Sequence, residues 1–206
     1  MKLSECLAGL LLAVALGFAG YGALAAGSAD AASIACAGNL KSLVQAMTSY
    51  AADHDGALPT AVDRNRKPWR WWYSEIFPYV SSPRDFYCPV KAPEFFDEGQ
   101  ASPLLPAVWD FHYLSYGYNT AIDIAQRAGK VVLMTDPSRG PRIVLAESND
   151  YLAGPQVSSW SRQIIPRHEG RAHFAFTDGS VVLETPDTAP RRNGEGIHSL
   201  ENWSFP

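Results

Sequence analysis

Between Cys6 and Ala26 the chain carries 21 consecutive uncharged residues, CLAGLLLAVALGFAGYGALAA. As a helix this stretch would reach about 30 Å, the thickness of a bilayer's hydrocarbon core, so it belongs in a membrane at some stage. Two fates fit it. Lys2, the Leu/Ala/Val run and the small residues Ala23 and Ala25 suit a cleaved secretory signal. Glu5 opposes that fate, because an acid directly before an apolar run is costly in a membrane unless something pairs with it. Retention as a helix is served by Gly9, Ala13 and Gly17, which form one stripe where neighbouring helices can approach closely, although alanine and glycine are common in such segments. Gly20 and Gly22 each cost about 1 kcal/mol relative to alanine in a helix interior and predict a bend there.

Beyond Gly27, Cys36, Leu40, Leu43, Val44, Met47 and Tyr50 keep the 3.6-residue period of an amphipathic helix. Asp53, Asp55, Gly56 and Pro59 supply the chemistry that ends it near Asp53. The expectation is one N-terminal helix of roughly fifty residues, apolar in its first half and amphipathic over 29–53. The division that follows is a transmembrane and assembly helix over 1–27 and a globular head over 28–206. A formal charge of −4, from 17 Lys+Arg against 21 Asp+Glu, argues against a dedicated nucleic-acid binder. Three cysteines, none in CxxC spacing, exclude both a disulfide scaffold and a sequence-legible zinc site.

These residues resemble a family. Glu5 ahead of an apolar helix, then Cys36, Asn39, Leu40 and Lys41 (CAGNLK), then Tyr50, Asp53, His54, Asp55, Gly56 and Pro59, look like the type IV pilin-like pseudopilins. The closest likeness is to the branch with a C-terminal H-x9-DG motif, here His168 with Asp178 and Gly179. Cys88-Pro89 in DFYCPV and Ser115 to Asn119 (SYGYN) resemble family landmarks in the same order, so the likeness runs from Glu5 to about Val182. Met1 stands where an aromatic is usual, and Gly22 where a proline is common. The resemblance implies an α+β, pilin-like fold, with a long N-terminal helix packed on a C-terminal antiparallel sheet. It also implies that Glu5 pairs with the terminal amine at Met1 of a neighbouring subunit. In that setting Cys36 and Cys88 lie outside the cytoplasm, where oxidation is permitted, and either form a disulfide or stay as two buried thiols.

Within the head, Trp69 to Val80 is an aromatic block whose default role is core packing, with a protein-docking patch as the alternative. Asp97 to Pro106 reads as a surface excursion. Strand signals fall on Lys130–Thr135, Arg142–Glu147 and Ala172–Thr177, and Asp178-Gly179 reads as a two-residue type I′ turn leading into Ser180–Glu184, closing a hairpin region over 168–184. The simplest assembly is an antiparallel sheet covered by the helix from Cys36 to Tyr50.

Glu147, Asp150, His168 and Asp178 could be drawn together as an acid/base or metal set, with Ser148 or Ser180 as nucleophile, but no HExxH, GxSxG, Walker or GxGxxG pattern accompanies them. No enzyme and no cofactor is expected. Calcium near Asp150 or Asp178 lacks a clustered acidic loop. The reading is therefore a structural pseudopilin subunit of a type II secretion or type IV pilus-like filament. It is expected as a single-pass protein of the bacterial inner membrane with an extracytoplasmic head, its partners being itself, other pseudopilins and the assembly machinery. The alternative is a secreted binding module, freed of its first 25 residues, that uses Trp69, Trp71, Trp72 and Tyr73 as a ligand surface.

Overall fold

The computed structural model describes residues 30–67, 69–90, 114–136, 140–148, 152–154 and 164–185. Helix α1 spans 30–53. Its face formed by Cys36, Leu40, Leu43, Val44, Met47 and Tyr50 is buried, because those positions recur once per turn, while Lys41 and Ile34 face solvent. The helix ends where Asp55 and Gly56 both take left-handed backbone, φ 54° and 79°, and Gly56 N donates to Ala51 O at 2.8 Å. Two short strands follow, β1 (Val62–Asp63) and β2 (Arg70–Trp71), paired antiparallel, then helix α2 (Trp72–Ile76) with two 3₁₀ turns after it.

The main sheet has five strands: β3 (Tyr116–Asn119), β4 (Ile143–Glu147), β5 (Leu152–Ala153), β6 (Ala172–Phe176) and β7 (Val181–Glu184), in the order β5-β3-β4-β6-β7. Helix α3 (Thr120–Arg127) follows β3 directly, its first turn capped by Asn119, whose Oδ1 accepts from Ala121 N at 2.8 Å. Helix α1 lies over one face of the sheet, so that Leu40, Leu43 and Met47 share a core with Tyr116, Tyr118, Leu145 and Ala175. The opposite face carries a smaller cluster of Ile143, Ala146, Ala153, Ala172 and Phe174.

The expected architecture needs correction on two counts. In place of a helix of about fifty residues, the first helix among the described residues covers 30–53, and residues 1–29 lie outside the described ones. The sheet is mixed: β5 runs parallel to β3, with Tyr118 opposite Leu152, while the other pairings are antiparallel. The parallel edge is possible because β3 contains Gly117, where an added Cβ would sit 2.6 Å from the Leu152 carbonyl carbon. Among the described residues no helix is long and apolar enough to cross a membrane.

Local expectations fare unevenly. Strands β4, β6 and β7 fall within the runs read as strands. The run Lys130–Thr135 is extended but joins neither sheet. It makes a bridge between Leu133 and Ala57, with Val132 and Met134 buried and Val131 and Leu133 exposed. The Asp178-Gly179 turn is not the two-residue form. Gly179 is left-handed at φ 85° and Asp178 is not, and Phe176 N donates to Ser180 O at 2.9 Å across the three-residue loop Thr177-Asp178-Gly179. The Asp178 carboxylate instead accepts from Ser180 N, which replaces the demand for positive φ at that position. A two-residue turn with both central residues left-handed occurs at Glu169-Gly170, φ 53° and 81°, closed by reciprocal backbone bonds between His168 and Arg171 at 3.0 Å.

Two glycines give opposite expectations for alanine. Gly117→Ala should lower stability by about 1–3 kcal/mol by pushing β5 away, whereas Gly38→Ala, on an open helix face with nothing within 4 Å, should raise it by about 0.5–1 kcal/mol. Urea unfolding measures both, and equal effects of one sign would contradict the packing described.

Candidate functional site

The sequence landmarks converge under the first half of α1. A β-bulge lies between Ile143 and Leu145, so Val144 and Leu145 both join the core beneath the helix. Glu147, two residues past Leu145, then points to the same side. It is fully buried. The segment 164–168 returns alongside the end of β4, with Ile165 N donating to Glu147 O at 3.0 Å, and the tight turn at Glu169-Gly170 fixes His168 beside it. His168 Nε2 donates to Glu147 Oε1 at 2.9 Å, and His173 N donates to Oε2 at 3.1 Å. The His173 ring packs edge-on against the His168 ring, its Nδ1 3.5 Å from Glu147 Oε1 and its Nε2 3.3 Å from Ser33 Oγ on α1.

Cys36 of α1 and Cys88 are joined by a disulfide with Cα atoms 5.2 Å apart, and Cys88 Sγ lies 3.5 Å from His168 Nε2. Asn39 Nδ2 donates to Tyr87 O at 2.6 Å, Leu40 is buried, and Lys41 projects into solvent. From the sheet, the Tyr116 hydroxyl donates to Cys36 O at 3.4 Å. Arg167 closes the end of the sheet, Nη1 donating to Ser115 O at 2.9 Å and Nη2 to Ser148 O at 2.8 Å. Burial lowers the Arg167 guanidinium pKa, and the nearby Glu147 carboxylate opposes that shift. The CAGNLK, CP, SYGYN and His168 elements are thus parts of one buried joint.

Asp178 and Gly179 do not take part in this joint; they form the exposed turn of the following hairpin. Of the acid/base set, Glu147 and His168 are in contact, Asp178 is apart from them, Ser148 Oγ donates to Leu152 O at 3.3 Å, and Ser180 Oγ donates to Asp178 Oδ1 at 2.6 Å. Glu5, Met1, Gly9, Ala13, Gly17, Asp150 and the excursion 97–106 lie outside the described residues. The four-residue aromatic surface is overturned: Trp72 and Tyr73 are fully buried, Trp72 stacking on Tyr118 at 5.6 Å, which leaves Trp69 exposed and Trp71 partly so.

Sequence reasoning missed Arg167, His173 and Ser33. His173 shares a face with Ala175 in a run read as a strand; that face is buried in the main core, where a polar residue needs a partner. A separate cleft of about 640 Å³ was also missed; Arg64, Asp123, Arg127 and Lys130 are among its lining residues. There the nearly buried Asp123 pairs with Arg64 at 3.5 Å and Arg127 at 2.5 Å. In the buried joint, Cys36, Cys88, Glu147 and His168 each offer a donor atom, all within 4.8 Å of one another. No family model matches the chain, nor does any curated protein or solved structure.

Two outcomes follow from this geometry. His168→Ala should lower stability by about 3 kcal/mol, because the buried Glu147 carboxylate loses a donor, whereas the exposed Lys41→Ala should change it by less than about 0.5 kcal/mol. Denaturant melts of the two variants compare them, and matched losses would contradict the joint. Burial also raises the Tyr116 and Tyr118 hydroxyls well above the ordinary phenol range. The unfolded chain therefore loses these protons near pH 10 while the folded chain keeps them, and stability falls as pH rises beyond about 10. Absorbance of tyrosinate should show these two ionising only with unfolding; their smooth titration in a folded chain would contradict it.

Proposed function

We propose that this chain is a structural subunit, a pseudopilin of a type II secretion or type IV pilus-like filament, held in the bacterial inner membrane by residues 6–26 with its head outside the cytoplasm. One observation carries the reading: several of the landmarks that resemble the family, Cys36, Asn39, Cys88, Tyr116 and His168, meet in a single joint between α1 and the sheet, with the Cys36–Cys88 disulfide at its centre. Such a joint suits a subunit that must move as one piece with its membrane segment. A displacement applied to α1 reaches the rest of the head through a covalent tie and a set of buried hydrogen bonds. The disulfide also suits an oxidising compartment.

In this reading Glu5 sets the register between copies. Its carboxylate is tolerated among apolar helices where the terminal amine of a neighbouring subunit pairs with it, and an unpaired charge there is expensive. Gly9, Ala13 and Gly17 supply the close-approach stripe. The partners are further copies of this chain, other pseudopilins and the membrane-bound assembly machinery; no nucleic acid and no catalytic step are part of the proposal. The Glu147–His168 couple serves as a tie, consistent with exposure of 0% and 5% for the two residues.

Intact mass of the protein recovered from cell membranes, together with incorporation of Glu5→Ala into sheared filament fractions, tests this. The expected results are a mature chain that retains Glu5 and a variant whose incorporation falls to background while its head stays folded. A mature chain starting near Ala26, or normal incorporation of the variant, would overturn the proposal. The first of these would favour the secreted module, its ligand surface reduced to Trp69 and Trp71.

A further inference from the structure

The disulfide at the joint does not stand among apolar groups alone. Cys36 Sγ, Cys88 Sγ, Glu147 and His168 Nε2 each offer a ligand atom, all four residues are buried, and the atoms lie within 4.8 Å of one another. A tetrahedral zinc site with bonds of about 2.0–2.3 Å separates neighbouring ligand atoms by about 3.3–3.8 Å, within reach of side-chain rotation from this arrangement once the sulfurs part. We propose that the reduced chain binds one zinc ion between the Cys36 and Cys88 thiolates, the Glu147 carboxylate and His168 Nε2, so that the joint has two alternative closures, a disulfide or a metal.

The surroundings favour this occupant. Glu147 Oε2 is held by His173 N at 3.1 Å, which leaves Oε1 free to turn from His168 to an ion while the carboxylate stays oriented. His173 Nδ1, on a side chain 4% exposed, has no hydrogen-bond partner and lies 3.5 Å from that same Oε1. Two thiolates and a carboxylate on a divalent ion leave one net negative charge, and the buried Arg167 guanidinium, which interacts electrostatically with Glu147, balances it. Soft sulfur and imidazole donors select zinc over calcium or magnesium.

The chemistry closes in two steps. A dithiol or phosphine reductant gives two electrons to the sulfur–sulfur bond, which breaks to two thiols; the dithiol supplies both protons and becomes its disulfide, whereas the phosphine becomes its oxide, with one water supplying the oxygen and both protons. Zinc then displaces the two thiol protons to solvent and forms two zinc–sulfur bonds. His168 binds through Nε2 as a neutral ring with its proton on Nδ1. Both closures tie α1 to the same side of the head, so a chain not yet oxidised could hold the folded arrangement through the metal.

Titration of the full chain with Co(II) in mild detergent, carrying Cys6→Ser so that two of its three cysteines remain, tests the proposal without oxygen. After phosphine reduction the expected result is one equivalent bound, with the visible bands of a tetrahedral site and thiolate charge transfer. Zinc should displace it and raise the melting temperature of the reduced chain. His168→Ala should weaken binding at least about tenfold, and the oxidised chain should give no such spectrum. Absence of uptake by the reduced chain, octahedral bands without charge transfer, affinity indifferent to His168→Ala, or the same spectrum from the oxidised chain would each overturn it. The comparison of oxidised and reduced parent decides the matter even if His168→Ala fails to fold.

Discussion

A carboxylate with no exposure to water is the constraint around which this head is arranged. Glu147 sits at the end of a central strand, and a buried unpaired charge costs several kcal/mol, so the chain must bring donors to it from elsewhere. They come from two places: the turn that positions His168 and the backbone of β6 at His173. The sheet register, the Glu169-Gly170 turn and the path of 164–168 all serve that delivery. The disulfide then fixes α1 above the couple. Its two cysteines are separated by 52 residues, a loop whose closure is worth roughly 4 kcal/mol in the chain-entropy account.

The bulge in β4 explains how a charged residue comes to lie beneath an apolar helix. Strict alternation from Ile143 would place Glu147 on the same side as Ile143, among Ala146 and Phe174 of the second cluster. The irregularity between Ile143 and Leu145 reverses that, so Val144 and Leu145 both enter the main core and Glu147 follows them to the helix side. One extra residue in one strand thereby decides which face carries the polar joint. The same joint serves as a mechanical connection in the proposed filament subunit and as the ligand set of the proposed metal site.

How far the sequence revealed this depends on the range of the interactions. Strands β4, β6 and β7 were legible because a short apolar run, the alternation of β6 and the Asp178-Gly179 turn signal are all local, and the buried face of α1 because helical period is local. Strand β3 was not read as a strand, since Tyr116-Gly117-Tyr118-Asn119 has no apolar alternation and acquires its role from Tyr118 Oη reaching Pro59 O at 3.0 Å and from Gly117 admitting β5. The two-residue β5 is too short for any pattern. Lys130–Thr135 carried a strand signal, but a local run does not name a partner, and its partner is the segment around Ala57. The four donors of the joint were illegible as a set because Cys88 and His168 stand 80 residues apart, with no short motif linking them. His168 stood out through the H-x9-DG spacing, yet its importance lies with Glu147, while Asp178 and Gly179 only turn a hairpin.

The central claim is that helix α1 and the sheet form one cooperative unit through this buried joint. Native-state amide hydrogen exchange of the oxidised chain measures it directly. Amides of Leu40 to Met47 should exchange only by global opening, with the same free energy as those of Val144 to Ala146. If those helix amides exchange through a lower-energy opening that leaves the strand protected, then α1 merely rests on the sheet, and the joint is not what holds the head together.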